Sequence, residues 1–313
     1  MNAGLLRQWH ASGALELPLP GGGATALRWR RLAEMTETDI VAGRLAEAHT
    51  DAVAILAELD GPEPRPDQLW GVWAAEPHDA VVHANGGGGA VTLDGAKAWC
   101  SGAGLCSHAL VTARLAAGER ALFAVDLHQP GVTPLPSTWR NPGMAQSDTR
   151  SVQFNGARAV AVGRPGDYLS RPGFWHGAIG VGACWLGGAR SVAKPLYQRA
   201  GADHVDPHTL AHLGAVDAAL AAAEAALTVA ATEVDADPLN RKGSAELTAR
   251  RVRAVVETAV DETIRRTARA LGPAPLCEDA EHAQRVADLT VYVRQSHAER
   301  DLEQLGRQAG ARR

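Results

Sequence analysis

The segment Leu93–Arg114, LDGAKAWCSGAGLCSHALVTAR, is the most informative part of this chain. It predicts a strand, a tight loop of small residues and a second strand, because the turn pair Asp94-Gly95 is followed by a glycine-rich bend and an apolar run. An indole, Trp99, and a hydroxyl, Ser101, stand at the bend. Glycines let backbone N–H groups approach a ligand, and an adjacent indole suits a flat cofactor with polar edges. We therefore expect a cofactor site at this loop.

Composition narrows the class of protein. A chain of 313 residues can bury a substantial core as one large domain or as two to three small ones. A net charge of −4 with interspersed signs gives no reason to expect nucleic acid or an anionic membrane as a partner. No window of about twenty apolar residues without charge is present, so a spanning helix is not expected. The N-terminal residues lack the apolar core of a secretory signal, which favours a cytoplasmic protein.

The cysteines do not indicate a metal site. The chain has four of them, with no C-x-x-C pair and no His-Cys spacing of the metal-binding type: Cys100, Cys106, Cys184 and Cys277. Buried thiols in a reducing compartment explain them without any special chemistry.

Three regions differ in composition and in the spacing of their apolar residues, and together they predict a mainly α protein with a central β module. Residues 1–73 are expected to form an N-terminal helical domain, residues 74–166 a middle β-barrel domain, and residues 167–313 a C-terminal helical bundle. The predicted helices are Leu27–Met35, Asp39–Leu59, Phe174–Ala200, His208–Val234, one from Ser244 to Leu271, and Ala280–Arg307. The predicted strands are Ala80–His83, Ala90–Leu93, Ala109–Ala113, Ala121–Leu127, Gly131–Pro134, Ser151–Phe154 and Ala159–Val162, the first two joined through Asn85–Gly89 as a hairpin.

The stretch Lys97-Ala98-Trp99-Cys100-Ser101-Gly102-Ala103 resembles the K-x-W-I-T-N-G pattern of the acyl-CoA dehydrogenase superfamily. Looser similarities to the same family cover most of the chain and lie at Gly71–Pro77, Phe123–Val132, Pro142–Met144 and Val152–Ala157. The resemblance implies an N-terminal helical domain, a middle β-barrel and a C-terminal helical bundle. It also implies an FAD cofactor held by Trp99, Ser101, Gly102 and Arg199, and a homodimer or homotetramer acting on a small acyl substrate such as a CoA thioester.

The chain departs from the family at positions that matter for chemistry. The N-terminal helical region is short. Ala75 stands where the family has a flavin-bonding threonine, and an alanine side chain cannot donate a hydrogen bond. The family's R-x-x-F-G survives only as Arg199-Ala200-Gly201. Near the C-terminus, Ala287–Gln295 has no glutamate at the usual place of the catalytic base, which lowers the expectation of acyl-CoA oxidation.

The catalytic residues are therefore unknown, with two weak candidates. His297 resembles a histidine of flavin-dependent monooxygenases in this superfamily, although a solvent-facing histidine on a charged helix is the simpler interpretation. Glu224, with Asp217 seven residues before it, could be a buried base of raised pKa, although the edge of a helix-packing face gives the same pattern. Trp99 itself can be either a flavin-facing aromatic or a residue of the barrel core.

Three hypotheses follow for the function. The first is an FAD-dependent oxidoreductase that acts on the CH–CH group of an acyl thioester or a related substrate. The second is a flavin-dependent monooxygenase or oxidase on the same fold, with His297 in its site. The third is a catalytically degenerate subunit of a hetero-oligomer. No metal, nucleic acid or membrane partner is expected.

Overall fold

The computed structural model describes residues 3–76, 81–87 and 90–311. Residues 77–80, which include the first residue of the predicted strand Ala80–His83, and residues 88–89 of the predicted hairpin connection lie outside the described residues. The chain divides into two compact units. We call them the β unit (Met1–Leu17, Leu45–Arg140 and Ala145–Phe174) and the helical unit (Pro18–Arg44, Asn141–Met144 and Trp175–Arg313). The predicted boundaries at residues 73 and 166 remain a prediction.

A β-barrel forms the centre of the β unit, as the sequence predicted. The strands are β1 (Trp70–Trp73), β2 (Val82–Gly87), β3 (Ala90–Cys100), β4 (His108–Arg114), β5 (Arg120–Asp126), β6 (Val132–Pro134) and β7 (Arg150–Val162). Strands β4, β2, β3, β7 and β5 pair in that order, and β5 pairs back onto β4 to close the ring. Strand β1 runs parallel to β4, and β6 is antiparallel to β7. The two predicted strands around the loop, β3 and β4, belong to the same barrel and are separated in the pairing order by β2.

The barrel core follows from alternation of apolar residues along these strands. Leu93, Val111, Phe123, Val152 and Phe154 are all buried in it. One expectation was wrong, because the two predicted strands between residues 151 and 162 are a single strand, β7. Its turn-like pair, Asn155-Gly156, is a bend within the strand. Gly156 has a φ of +63°, and its N–H donates 2.7 Å to Asp94 Oδ1 of β3, where the pairing register also shifts.

The helices are α1 (Ala3–Ala11), α2 (Thr25–Thr38), α3 (Ile40–Glu58), α4 (Asp167–Ser170), α5 (Pro172–Ala200), α6 (Pro207–Ala236), α7 (Ala245–Leu271), α8 (Ala274–Glu278), α9 (Ala280–Tyr292) and α10 (Glu299–Ala311). Five of the six predicted helices are therefore confirmed, whereas α1, α4 and α8 were not predicted. Asp39 caps α3, since its Oδ1 accepts the Ala42 N–H at 2.7 Å.

Two helix ends differ from the sequence prediction. Ser244 precedes α7 but makes no side-chain cap bond, and Asn240 Oδ1 accepts the Ala245 N–H at 2.9 Å instead. The single helix expected over 280–307 is broken into α9 and α10 by a short 3₁₀ turn, Val293–Gln295. Ala298 has a φ of +46°, a conformation that an α-helix cannot contain. The break gives Ser296, His297 and Ala298 a place outside regular helix.

Helices α6 and α7 pack together within the helical unit through the predicted apolar stripe of α6. Val216, Leu220, Ala223, Leu227 and Ala230 of that stripe are buried. Among the described residues, α6 is the one helix long and apolar enough to cross a membrane by length and composition. The buried core helix of a globular protein meets the same criterion, so this property does not indicate a membrane span by itself.

Candidate functional site

Trp99 stands on an irregularity of β3 that pushes its side chain out of the barrel. The pairing of β3 with β7 shifts register between Lys97 and Cys100, and both of these residues are completely buried. Trp99 lies between them with a φ of +60° and is 60% exposed. A left-handed conformation is rare for a bulky residue, and such outliers concentrate at ligand-binding positions. The interpretation of Trp99 as a core residue is therefore wrong, because its indole faces outwards.

The loop after Trp99 does not offer backbone N–H groups to a ligand, contrary to the expectation from its glycines. The N–H of Gly102 donates 2.8 Å to the Ser147 carbonyl, that of Ala103 donates 3.2 Å to the Asp148 carbonyl, and that of Gly104 donates 2.8 Å to Asp148 Oδ2. Gly102 is buried with a φ of +73°, and a Cβ there would lie 2.8 Å from Cys106 Sγ. Gly102 thus shapes the loop, and the groups left to face a ligand are side chains.

The side chains beside Trp99 form a chain of three hydroxyls. The Ser101 Oγ lies 2.9 Å from Thr149 Oγ1, which lies 2.7 Å from Ser147 Oγ. Each hydroxyl carries one donor and two acceptor lone pairs, so the chain keeps unused capacity for the polar edge of a ligand. The Trp73 indole N–H donates 3.0 Å to the Ser101 carbonyl and fixes the loop against the end of β1. Thr149 and Ser147 had no signal in the sequence, because the partners lie almost fifty positions apart along the chain.

A second indole stands against the first. Trp139 is half-buried, and its ring lies edge-to-face to that of Trp99, with centroids 6.0 Å apart and planes at 85°. This geometry is the favourable one for an aromatic pair. Trp139 belongs to the segment between β6 and β7, where the sequence analysis assigned no role. We call Trp99, Trp139, Ser101 and Thr149 the indole–hydroxyl site.

A buried charged cluster lies behind the site. The Lys97 ammonium donates 2.8 Å to the Thr112 carbonyl and 2.7 Å to Thr112 Oγ1, and it lies 3.9 Å from Glu76 Oε1. Glu76 Oε2 accepts 2.8 Å from Arg120. Burial lowers the pKa of Lys97 to about 8, although the Glu76 carboxylate opposes this shift. A lysine on the buried face of a strand is unusual, and that feature was available in the sequence.

The remaining predicted site residues lie in the helical unit. Arg199 is exposed in the last turn of α5. Glu224 is also exposed and pairs with Arg190 at 2.9 Å, while Asp217 is exposed and accepts 2.8 Å from the Tyr197 hydroxyl. The hypothesis of a buried Glu224 base is therefore wrong, because this carboxylate is exposed to solvent and paired with Arg190.

The C-terminal stretch Ala287–Gln295 contains one carboxylate, Asp288, and it has a structural role. Its Oδ1 accepts the Met144 N–H at 2.6 Å and the Gln284 side-chain amide at 2.9 Å. Burial raises the pKa of Asp288. Both bonds go to Oδ1 and tie Asp288 to the turn at Met144, which gives this carboxylate a structural role.

His297 is exposed in the break between α9 and α10. Its backbone N–H donates 3.1 Å to Asp301 Oδ2, and its ring Nδ1 lies 3.7 Å from the same oxygen. The flanking Ser296 and Ala298 line an open cavity of about 360 Å³ within the helical unit, together with Trp175, Arg250, Arg253, Ala254, Glu257, Asp301 and Leu302. His297 is thus accessible and close to a carboxylate that can orient its ring. Over the described ranges, no group of three His, Cys, Asp or Glu side chains could hold a metal ion.

Comparison with known proteins identifies both the barrel and the fold. Residues 74–157 match the family model of the acyl-CoA dehydrogenase middle domain. No curated protein sequence matches the chain.

Solved structures similar to the chain share about a fifth of its sequence or less. Dibenzothiophene monooxygenase from Paenibacillus sp. A11-2, in complex with FMN and indole, superposes with a TM-score of 0.81 at 20% identity, over 93% of this chain and 85% of that chain. Methanesulfinate monooxygenase from Pseudomonas fluorescens has a TM-score of 0.81 at 19% identity, over 98% and 89%. A nitrososynthase from Micromonospora carbonacea var. africana has a TM-score of 0.79 at 17% identity, over 97% and 88%. Residues 74–157 thus match the acyl-CoA dehydrogenase middle domain, and the chain as a whole shares the fold of these solved structures.

Proposed function

We propose that this protein is a flavin-dependent oxidoreductase that binds its flavin at the indole–hydroxyl site. The observation that carries the proposal is the exposed Trp99 indole, held at a positive φ beside the Ser101 and Thr149 hydroxyls. An isoalloxazine ring is flat and has a polar edge. One face of the indole would cover the ring, and the hydroxyls would orient its edge. The described residues therefore fit a flavin.

The identity of the flavin stays open to experiment. The resemblance to the family predicts FAD, whereas the similar dibenzothiophene monooxygenase has been crystallised with FMN. We infer a flavin and expect an FMN and FAD titration to choose between the two.

The reaction we favour is monooxygenation or oxidation by dioxygen. For monooxygenation, a reduced flavin held at this site would supply two electrons to dioxygen, one oxygen atom would enter the substrate and the other would leave as water, and a separate reductase would provide the reduced flavin. Two observations support this choice over acyl-CoA oxidation. Glu224 is exposed and paired with Arg190, while Asp288 accepts the Met144 N–H in a structural turn, and the similar solved structures include two monooxygenases.

In this proposal the chain's own residues bind, orient and move protons. Trp99 and the hydroxyls would fix the flavin. His297 would exchange a proton with substrate or water, since its ring is accessible and Asp301 lies 3.7 Å from it. The substrate would be a small molecule, as for the similar structures with indole and with a dTDP-sugar.

Acyl-CoA oxidation is the second candidate, and the match of residues 74–157 to the acyl-CoA dehydrogenase middle domain favours it. One experiment separates the two candidates. The protein is loaded with flavin and mixed anaerobically with a medium-chain acyl-CoA, and in parallel it is reduced by an external NADH-dependent reductase and exposed to dioxygen with indole as the probe. We expect that the acyl-CoA does not bleach the flavin absorption. In the parallel reaction we expect dioxygen to reoxidise the flavin and the indole to be oxygenated. Bleaching by the acyl-CoA alone would replace our proposal with the dehydrogenase. A colourless protein that takes up neither flavin would favour a degenerate subunit.

A further inference from the structure

The irregularity that presents Trp99 is anchored on both sides by buried groups. On one side Lys97 donates from its ammonium to the Thr112 carbonyl and hydroxyl, which ties β3 to β4. On the other side Cys100 is completely buried, and its Sγ lies 3.2 Å from the Lys97 carbonyl. The two residues between these anchors are Ala98 and Trp99. The position of the exposed indole therefore depends on how firmly Lys97 is held.

Lys97 is held largely by charge. Hydrogen bonds from an ammonium group are about twice as strong as those between neutral groups. The Glu76 carboxylate lies 3.9 Å away with its side chain 6% exposed, so little water screens the attraction between the two charges. A neutral amine at the same place would keep only weak hydrogen bonds to Thr112 and would lose the attraction to Glu76.

Resting on the proposed function, we propose that Lys97 is a positioning residue for the flavin, and that its ammonium holds the Ala98–Trp99 irregularity in the shape that binds the ring. Lys97 makes no contact with the flavin in this scheme and acts through Trp99. Deprotonation of Lys97 loosens the anchor and lowers the flavin affinity.

The charged and titratable groups around Lys97 come from three parts of the β unit. They are Glu76 after β1, Cys100 on β3 and Arg120 on β5, while Arg114 at the end of β4 lies 3.6 Å from Glu76. Glu76 and Cys100 raise the pKa of Lys97, whereas burial and Arg120 lower it, and the result is about 8. The ammonium is therefore lost in a pH range where most exposed side chains keep their charge, although the terminal amino group also titrates there.

The test is a flavin titration, followed by fluorescence and visible absorption, at several pH values from about 7 to about 9. If only the ammonium form binds, the apparent Kd of the wild type rises up to about tenfold over this range, because the competent fraction falls by that factor. Lys97→Met has no amine that can lose a proton at this position. The flavin affinity of this variant is therefore low, and it varies with pH only through the flavin's own ionisation. Lys194→Met, at an exposed lysine of α5, is the matched control and keeps the wild-type profile.

Glu76→Gln gives a second, independent measurement. Glu76 raises the pKa of Lys97, so its loss moves the midpoint of the affinity profile to lower pH. A purely structural role for Lys97 would leave that midpoint in place, and this variant also serves if Lys97→Met fails to fold. The inference would be overturned if the wild type and Lys97→Met had the same flavin affinity at every pH. It would also be overturned if the midpoint of the affinity profile did not move in Glu76→Gln. Failure of the wild type to bind any flavin would instead overturn the proposed function itself.

Discussion

Lys97 should make the free energy of unfolding increase with pH, whereas the flavin affinity should decrease with pH. Replacement of Lys97 by Met should remove this contribution to the free energy of unfolding. Burial lowers the pKa of Lys97 from 10.5 to about 8. Between about pH 7 and about pH 9 the unfolded chain keeps this proton while the folded chain loses it. The unfolded state therefore binds more protons, and stability increases with pH. Integration over these two pH values gives a gain of about 1 kcal/mol from Lys97 alone.

The assay is urea unfolding of the flavin-free wild type and of Lys97→Met at both pH values. The change in the free energy of unfolding between the two pH values is then compared between the two proteins. Burial also raises the pKa of the Cys100 thiol, so ionisation of this thiol in the unfolded chain lowers stability towards pH 9 in both proteins alike. The comparison cancels that contribution, and Lys194→Met should behave as wild type. A gain in stability from pH 7 to pH 9 that is equal in wild type and Lys97→Met would refute the assignment of a buried, weakly basic ammonium at Lys97.

Substitutions at three further positions test the loop and the turn that the structure describes. Gly102→Ala places a Cβ 2.8 Å from Cys106 Sγ at a φ of +73°, and we expect a loss of about 1–3 kcal/mol in thermal or urea unfolding. Trp73→Phe removes the donor to the Ser101 carbonyl, and we expect it to lower the free energy of unfolding by about 1 kcal/mol and to weaken flavin binding. If neither the free energy of unfolding nor the flavin affinity changed, the loop would not need this bond. Asp288→Ala leaves the Met144 N–H without an acceptor and should cost about 2 kcal/mol, whereas Asp288→Asn keeps an acceptor and should cost less. Equal losses in the two Asp288 variants would contradict the hydrogen-bonded role, and loss of turnover in a stable Asp288→Asn protein would reopen Asp288 as a base.

The sequence predicted the fold well because its signals are local and repeated. The spacing of apolar residues along α6 and the continuous apolar runs of β4 and β5 are properties of neighbouring positions, and the helix and both strands lie where the sequence predicts them. Predictions were wrong where a distant partner decided the outcome. Asp94 of β3 binds the Asn155-Gly156 bend and turns an apparent loop into one strand. Asn240 replaces Ser244 at the α7 cap.

The candidate site was predicted in part for the same reason. Trp99 and Ser101 follow from a motif within one segment, and the structure places both at the surface beside the barrel. Trp139 and Thr149 come from another segment and join them only in the folded chain. The sequence also could not predict that Ser147 and Asp148 accept hydrogen bonds from the loop N–H groups. A glycine-rich bend has the same sequence whether its amides are free or hydrogen-bonded.

The most direct test of the central claim is a titration of the purified protein and of Trp99→Ala with FMN and with FAD. Trp99 is 60% exposed, so its removal should leave the fold intact, as circular dichroism can verify. We predict that the wild type binds one of the two flavins with quenched flavin fluorescence, and that Trp99→Ala binds it at least about tenfold more weakly, equivalent to about 1.4 kcal/mol of lost binding energy. Equal affinity and equal quenching in the folded variant, or no binding of either flavin by the wild type, would contradict the assignment of a flavin to the indole–hydroxyl site.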